Sequence, residues 1–247
     1  MMLMQKQIKD ISIVIPAYNE EKRIIKSLKT IVEYLDLRSL SYEIIIVDDG
    51  SSDSTLSLVK DFSKSHSRVV YISYENNMGK GFAVREGVKK SEGNLVLFSD
   101  ADLSTPIKEM EKLIDAIKSG FDISIGSRAL ASSEIIVSQP FYRKTMGKIF
   151  NVLVRLLIFN GIKDTQCGFK CFTRKAAQEI FRRCRINGFS FDVETLLIGK
   201  KLGFKRKDIP VQWLNSPETR VNPIKHSLAM VKELFNIRWN EFKGLYK

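Results

Sequence analysis

The chain has 247 residues, 44% of them hydrophobic and 28% charged, which excludes a disordered or collagen-like chain and supplies material for one large core. Its formal net charge of +12 points to a polyanionic partner: nucleic acid, an acidic membrane face or a phosphorylated substrate. The three cysteines, Cys167, Cys171 and Cys184, form no CxxC pair, so neither a disulfide framework nor a zinc site is expected and a reducing compartment fits.

Residues 11–17, "ISIVIPA", are a continuous apolar run and predict a strand buried on both faces. A helical period follows over 20–37. "YEIIIVDDG" is a second buried strand ending at Asp48-Asp49-Gly50, a turn signal, and Asp53 is placed to cap a helix over 54–64. "RVVYIS" (68–73) predicts a third strand, residues 79–91 a helix opening on glycines, and "NLVLFS" (94–99) a fourth strand. A helix with proline at its start and glycine at its end covers 106–120, and "DISIG" (122–126) is a fifth strand. The second half is less regular. It reads as an apolar, basic-studded helix over 141–160, a loop entering a helix over 164–174, a helix over 188–203, a late strand over 208–214 and a long amphipathic helix over 223–246. No run reaches the ~20 mostly apolar residues that span a bilayer, and the polar opening "MMLMQKQIKD" is not a secretory signal.

Strand–helix alternation implies an α/β fold with a mostly parallel central sheet and helices on both faces. Ligands in such sheets bind outside the carboxyl ends of the strands. There this sequence places Pro16-Ala17-Tyr18-Asn19-Glu20, Asp48-Asp49 and Asp100-Ala101-Asp102. The expected organisation is a catalytic domain over 1–222 and a basic amphipathic helix over 223–247.

Asp100 and Asp102, spaced i and i+2 just past a buried strand, can turn toward one point. Such oxygen ligands suit Mg²⁺ or Mn²⁺ shared with substrate phosphates, although a plain turn with helix-capping aspartates has the same letters. Asp48 and Asp49 can take the hydroxyl or amide edge of a nucleoside, or simply make a "DDG" turn. "NNMGKG" brings glycine amides and Lys80 to a helix start, a phosphate-holding arrangement without Walker spacing. Arg128, Arg143, Lys144 and Arg220 offer phosphate contacts or ordinary surface charge. Asp164, Gln166, Asp192 and Glu194 are candidates for sugar-hydroxyl binding or base chemistry, with helix-dipole complementarity an equal account of the last two. The helices over 141–160 and 223–246 are apolar on one side and basic on the other, as in elements lying on a membrane surface or packing on a core.

These motifs together make the chain resemble an inverting, family-2 glycosyltransferase of the GT-A fold, over roughly residues 11–220. The marks are "IVIPAYNEEKRI", "EIIIVDDGSSDST", "NMGKGFAVREG", "FSDADLSTP", "GSR" and "DTQCGFKCFTR". Within that family it is most similar to polyprenyl-phosphate glycosyltransferases, and among them to the dolichyl-phosphate β-glucosyltransferases, through "DADLSTP", "DTQCGFK" and "FDVE". The resemblance implies that Pro16, Ala17, Tyr18, Glu20, Asp48, Lys80, Ala101 and Gln166 frame the nucleotide sugar, with Asp100 and Asp102 on its diphosphate and on Mg²⁺ or Mn²⁺. It implies an acceptor phosphate held by Arg128, Arg143 and Arg220. Asp164, Gln166 and Lys170 then lie near the donor sugar, and Asp102, Arg128, Asp164 and Asp192 carry the catalytic roles.

The expected reaction is hexose transfer, glucose from UDP-glucose, to a dolichyl or undecaprenyl phosphate. A phosphate acceptor is already an anion near neutral pH and needs no strong base. Related mannose synthases commonly carry Gln where this chain has Ser104, which disfavours a GDP-mannose donor without removing that alternative. A transferase to a polysaccharide or protein hydroxyl, with Asp192 as base, is the other. The N-terminal membrane helix of eukaryotic glucosyl members is missing here, so the resemblance implies a prokaryotic-type enzyme peripheral at the cytoplasmic face, with room for an oligomer or a separate membrane subunit. No RNP signature, zinc finger or helix-turn-helix register supports a nucleic-acid partner.

Overall fold

The computed structural model describes residues 9–137, 141–159, 161–162, 164–214 and 223–247. Four strands, β1 (Lys9–Ala17), β2 (Tyr42–Asp49), β3 (Val69–Tyr74) and β4 (Gly93–Ser99), run parallel in the order β3-β2-β1-β4. The sheet continues through β7 (Phe169–Thr173), β5 (Ile123–Ser127) and β8 (Arg206–Pro210), making seven strands. β7 is antiparallel to both neighbours, and β5 and β8 pair in parallel. A second, two-stranded sheet joins β6 (Glu134–Val137) to β9 (Gln212–Leu214).

The continuous apolar runs have the expected physical cause, since alternate residues enter different cores. Ile13, Ile15, Ile44, Ile46 and Leu97 pack with helices α1 (Ile24–Asp36), α2 (Thr55–Ser65) and α4 (Met110–Lys118). Val14, Val96 and Phe98 pack on the opposite face with α3 (Lys80–Lys90), α5 (Phe141–Leu157), α6 (Arg174–Arg183) and α7 (Phe191–Lys201).

Three elements differ from the sequence expectation. Residues 169–173, expected as a loop, form β7: Phe169 and Cys171 face one core and Phe172 the other. The interruption in that run is Lys170, whose buried charge is met by Asp192. The late strand divides into β8 and β9, and β6 appears where no strand was expected because its four residues are exposed and bury no face. Asp53 does not cap α2 from the N-cap position, which Ser54 occupies; its Oδ1 accepts from the Thr55 amide at 2.9 Å and its Oδ2 from Glu21 N at 3.3 Å, tying two loops together.

The last helix, α8 (Pro223–Phe242), adds Leu234 and Ile237, and Tyr246 beyond it, to the core that holds Phe98 and Phe191. Tyr246 Oη donates to Glu194 Oε1 at 2.6 Å, and the Glu194 carboxylate also accepts from the amides of Arg185 and Ile186. Glu194 is therefore a brace between α7, the loop before it and the chain end. Removing the hydroxyl with Tyr246→Phe should lower stability by about 1–2 kcal/mol, read as a lower urea midpoint at unchanged slope. Among the described residues no helix is long and apolar enough to cross a membrane.

Candidate active site

The carboxyl ends of β1, β2, β4 and β5 meet at one edge, and the reversed direction of β7 brings the loop before it, 164–168, to the same edge. Register sets the positions: Ala17 lies opposite Asp48, and Ser99 opposite Phe169. Pro16 and Ala17 end β1. Tyr18 is exposed beyond them, and Asn19, in the left-handed region at φ 55, turns the chain. Asn19 N donates to Ser51 Oγ at 2.9 Å and its Oδ1 accepts from Ser52 N at 2.8 Å, so the loops after β1 and β2 are pinned together. Glu20 is held by the guanidinium of Arg23, with Nη2 to Oε1 at 2.7 Å.

The adjacent aspartates of β2 do different work. Asp49 accepts from the amides of Met78 and Gly79, both at 2.8 Å, and so fixes the glycine loop before α3. Burial pushes its carboxyl pKa up against those bonds. Asp48 is 1% exposed; its Oδ2 accepts a long bond from Ser51 N, while Oδ1 is buried with no hydrogen-bond partner among the described residues. A buried lone acceptor of this kind calls for an external N–H or O–H donor.

Asp100 and Asp102 follow β4 at the same edge, with β1 between that strand and β2. Asp100 Oδ1 lies 2.6 Å from Lys80 Nζ, the first residue of α3. Burial pulls the Lys80 pKa down, but the charges of Asp100, Asp192 and Asp102 outweigh it and hold it above its ordinary value. Asp102 Oδ1 accepts from Ser104 N at 2.9 Å, and its Oδ2 is 3.7 Å from Arg23 Nη1. Burial first, and the Asp100 charge second, push the Asp102 carboxyl up. Leu103, at φ 48, makes the turn that folds Asp102 back, a conformation costly for a branched residue. Gly168 packs against Asp100 so closely that a Cβ there would sit 1.9 Å from Oδ2.

Two hard carboxylates close enough for the charge of Asp100 to act on the desolvated Asp102 fit Mg²⁺ or Mn²⁺. Among the described residues no group of three or more His, Cys, Asp or Glu side chains could hold a metal unaided. An ion here would complete its shell with water or substrate oxygens, as Mg²⁺ does with phosphates.

Arg128 follows β5 and grips Asp164 with Nε to Oδ2 at 2.7 Å and Nη2 to Oδ1 at 2.8 Å, its amide adding a third bond at 2.9 Å. Its guanidinium lies 5.5 Å from the Trp213 ring. Burial would raise the Asp164 pKa, but Arg128 outweighs it and holds the carboxyl below its ordinary value. A depressed folded-state pKa adds stability above the unfolded value, near ~4, and that stability is lost as pH falls through the folded value. Asp164→Asn should therefore destabilise at neutral pH and flatten the fall in stability below pH ~4, measured by urea unfolding across pH.

Gln166 Nε2 is 3.9 Å from Met230 Sδ on α8. Asp192, at 4% exposure, is bound to Lys170, and Lys170 Nζ also donates to Cys167 O at 2.6 Å. Lys170 is 1% exposed and lies inside β7 rather than in the loop before it. Arg143 lies in the first turn of α5, its side chain outside the described part, and Arg220 lies outside the described residues. Sequence reasoning missed Arg23, Gly168 and Trp213. The first two lie inside quoted motifs, whereas nothing in the letters around Trp213 pointed to Arg128.

The sequence pattern of glycosyl transferase family 2 matches residues 12–181. The chain belongs to glycosyl transferase family 2. It is a glycosyltransferase. A dolichyl-phosphate beta-glucosyltransferase of Dictyostelium discoideum is 35% identical, over 96% of this chain and 76% of the relative. The human protein of the same name is 34% identical over 97% and 78%. Among solved structures, glucosyl-3-phosphoglycerate synthase from Mycobacterium tuberculosis, in complex with Mn²⁺, UDP and glucosyl-3-phosphoglycerate, superposes with a TM-score of 0.69 at 19% identity, covering 93% of this chain and 78% of that one. That likeness establishes the GT-A type of fold for this family-2 chain.

Proposed function

We infer that this glycosyltransferase moves glucose from UDP-glucose to a polyprenyl phosphate, dolichyl or undecaprenyl, with inversion at the anomeric carbon. The observation that carries the reading is the pairing, at one sheet edge, of the Asp100 and Asp102 carboxylates with the guanidinium fork of Arg128 on Asp164. The names of the relatives supply the sugar and the acceptor class, and the neighbour that holds Mn²⁺ with UDP supports the donor.

Asp100 and Asp102 would hold Mg²⁺ or Mn²⁺, which when bound neutralises the diphosphate leaving group. Asp48 Oδ1 takes a donor group of the nucleoside, in the frame made by Pro16, Ala17, Tyr18 and Glu20. Lys80, at the glycine start of α3 beside Asp100, would meet the donor phosphates. Arg128, fixed by Asp164, holds the acceptor phosphate with its outer Nη1 side, joined by Arg143 and Arg220. The phosphate oxygen attacks the anomeric carbon opposite UDP, and no residue need take a proton. A hydroxyl acceptor with Asp192 as base is disfavoured, because that carboxylate is buried against Lys170. The buried free thiols support the cytoplasmic face as the place of action.

The test is transfer of label from UDP-glucose, and in parallel GDP-mannose, to undecaprenyl and dolichyl phosphate with Mg²⁺ or Mn²⁺. Glucose in the organic phase that vanishes with EDTA is expected. Mannose there replaces the donor, and no label from protein that binds UDP overturns the acceptor.

A further inference from the structure

The start of α3 lies directly on the chain that leads into α7. A Cβ on Gly79 would stand 2.4 Å from Asn187 O, and one on Gly81 would stand 2.6 Å from both Ile186 O and Phe191 Cβ. Phe82 N donates to Asn187 O at 3.2 Å, and Arg85 Nη2 to Asn187 Oδ1 at 2.8 Å. The amides of Met78 and Gly79 are given to Asp49 on the other side. Lys80 therefore leaves a turn clamped between β2 and residues 186–188. Its ammonium lies 5.3 Å from the Phe98 ring, against which Phe191 packs edge-on at 5.6 Å.

The outer jaw of this clamp has little packing of its own, since Asn187 is exposed and Gly188 has no side chain. It is backed by Glu233, half-buried on α8. Glu233 Oε2 accepts from Ser190 N at 2.9 Å, and a Cβ on Gly188 would fall 2.0 Å from its Oε1. Ser190 is the N-cap of α7, so the carboxylate sits where a helix leaves amides unpaired and favours negative charge. Ser190 Oγ adds a bond to Met230 O at 3.1 Å, one turn earlier on α8. The Asn187 carbonyl is thus suspended between two carboxylates: Glu194, on the amides of Arg185 and Ile186, and Glu233, on that of Ser190.

We propose that Glu233 is a positioning residue for donor binding: by holding residues 187–190 against the first turn of α3, it sets where the Lys80 ammonium stands. It touches no substrate and acts through the Asn187 carbonyl. Glu194 has a different task, because its bond to Tyr246 ties it to the chain end and to the core. The proposal rests on the contact of Lys80 with the donor phosphates inferred above. Small errors in the placement of such a group are costly, since a charge held in place binds and orients better than one that must be ordered.

The full chain with Glu233→Ala is compared with the parent in three ways: calorimetric binding of UDP with Mn²⁺, transfer kinetics, and hydrogen exchange of the amides over 78–82 with no ligand present. Expected are a UDP affinity weaker by about tenfold, a matching rise in donor KM, and a kcat within about threefold of the parent's. Exchange over 78–82 should quicken, although Asn187 and not Glu233 touches that turn. Glu233→Gln keeps an oxygen for Ser190 N and should restore all of these. In a Lys80→Ala background, Glu233→Ala should cost no further UDP affinity. Gly188→Ala sets a methyl against the same carboxylate and should reproduce the loss, which keeps the test open if Glu233→Ala does not fold. Unchanged UDP affinity in both Glu233→Ala and Gly188→Ala overturns the proposal, as does parent-like exchange over 78–82. Losses from Glu233→Ala and Lys80→Ala that add in full overturn it while leaving Lys80 its role. A Lys80→Ala protein that binds UDP as the parent does removes that role instead, and exchange over 78–82 then judges the clamp by itself.

Discussion

Asp102→Asn is expected to lower kcat about 1000-fold or more while leaving the fold intact. Charge neutralisation at a diphosphate leaving group is worth several kcal/mol, and ~4 kcal/mol corresponds to about three powers of ten in rate. Stability should not fall with activity. Burial and the neighbouring Asp100 push the Asp102 carboxyl up, so the folded chain resists that charge rather than depending on it. The amide oxygen of Asn keeps the bond from Ser104 N that now goes to Oδ1. Turnover with saturating donor and metal, measured beside thermal unfolding, checks both halves. A variant within tenfold of the parent's kcat would remove Asp102 from the reaction.

The strands that deliver these groups were legible because both their faces are buried: an uninterrupted apolar run in β1, β2 and β4 has few other meanings. β7 was not legible, because one lysine breaks its run and its counter-charge lies 22 residues away on α7. The site shows the same division. "DAD" after β4 and "GSR" after β5 mark their own positions by following buried strands. What holds them does not show in the letters. The Arg128–Asp164 fork spans 36 residues, and the buried pairs of this edge become visible only when the sheet order places β7 between β4 and β5. Asp48 and Asp49 are one residue type at adjacent positions, yet strand alternation gives one an unpartnered oxygen and the other two loop amides. Gly168 reads as any loop glycine until the Asp100 carboxylate is seen against it.

Burial pushes the Asp192 carboxyl up even beside Lys170, so here, unlike at Asp102, the loss comes from the partner left behind: Asp192→Asn should destabilise the chain by about 3–5 kcal/mol, because the Lys170 ammonium stays buried without its hydrogen-bonded counter-charge, keeping only the longer-range field of Asp164. At roughly 2–4 °C per kcal/mol for a chain of this size, the thermal transition falls by about 6–20 °C. Lys170 would keep Cys167 O at 2.6 Å and the Phe98 ring at 5.9 Å, neither of which carries a full negative charge. Removing both charges, in Lys170→Met/Asp192→Leu, should recover most of that loss, since apolar pairs of similar volume replace buried ion pairs well. The orphaned Cys167 carbonyl retains about 1–3 kcal/mol of it. The double variant also separates two roles for Asp192. As a brace behind Asp100 and Lys80, whose charges it feels, its loss is made good when the packing is restored, and turnover returns in part with the thermal transition. As a base for a hydroxyl acceptor it has no apolar substitute, and stability would return without turnover. Recovery of both is the expected result, because a carboxylate 4% exposed and already bound to an ammonium has no face left for a substrate proton.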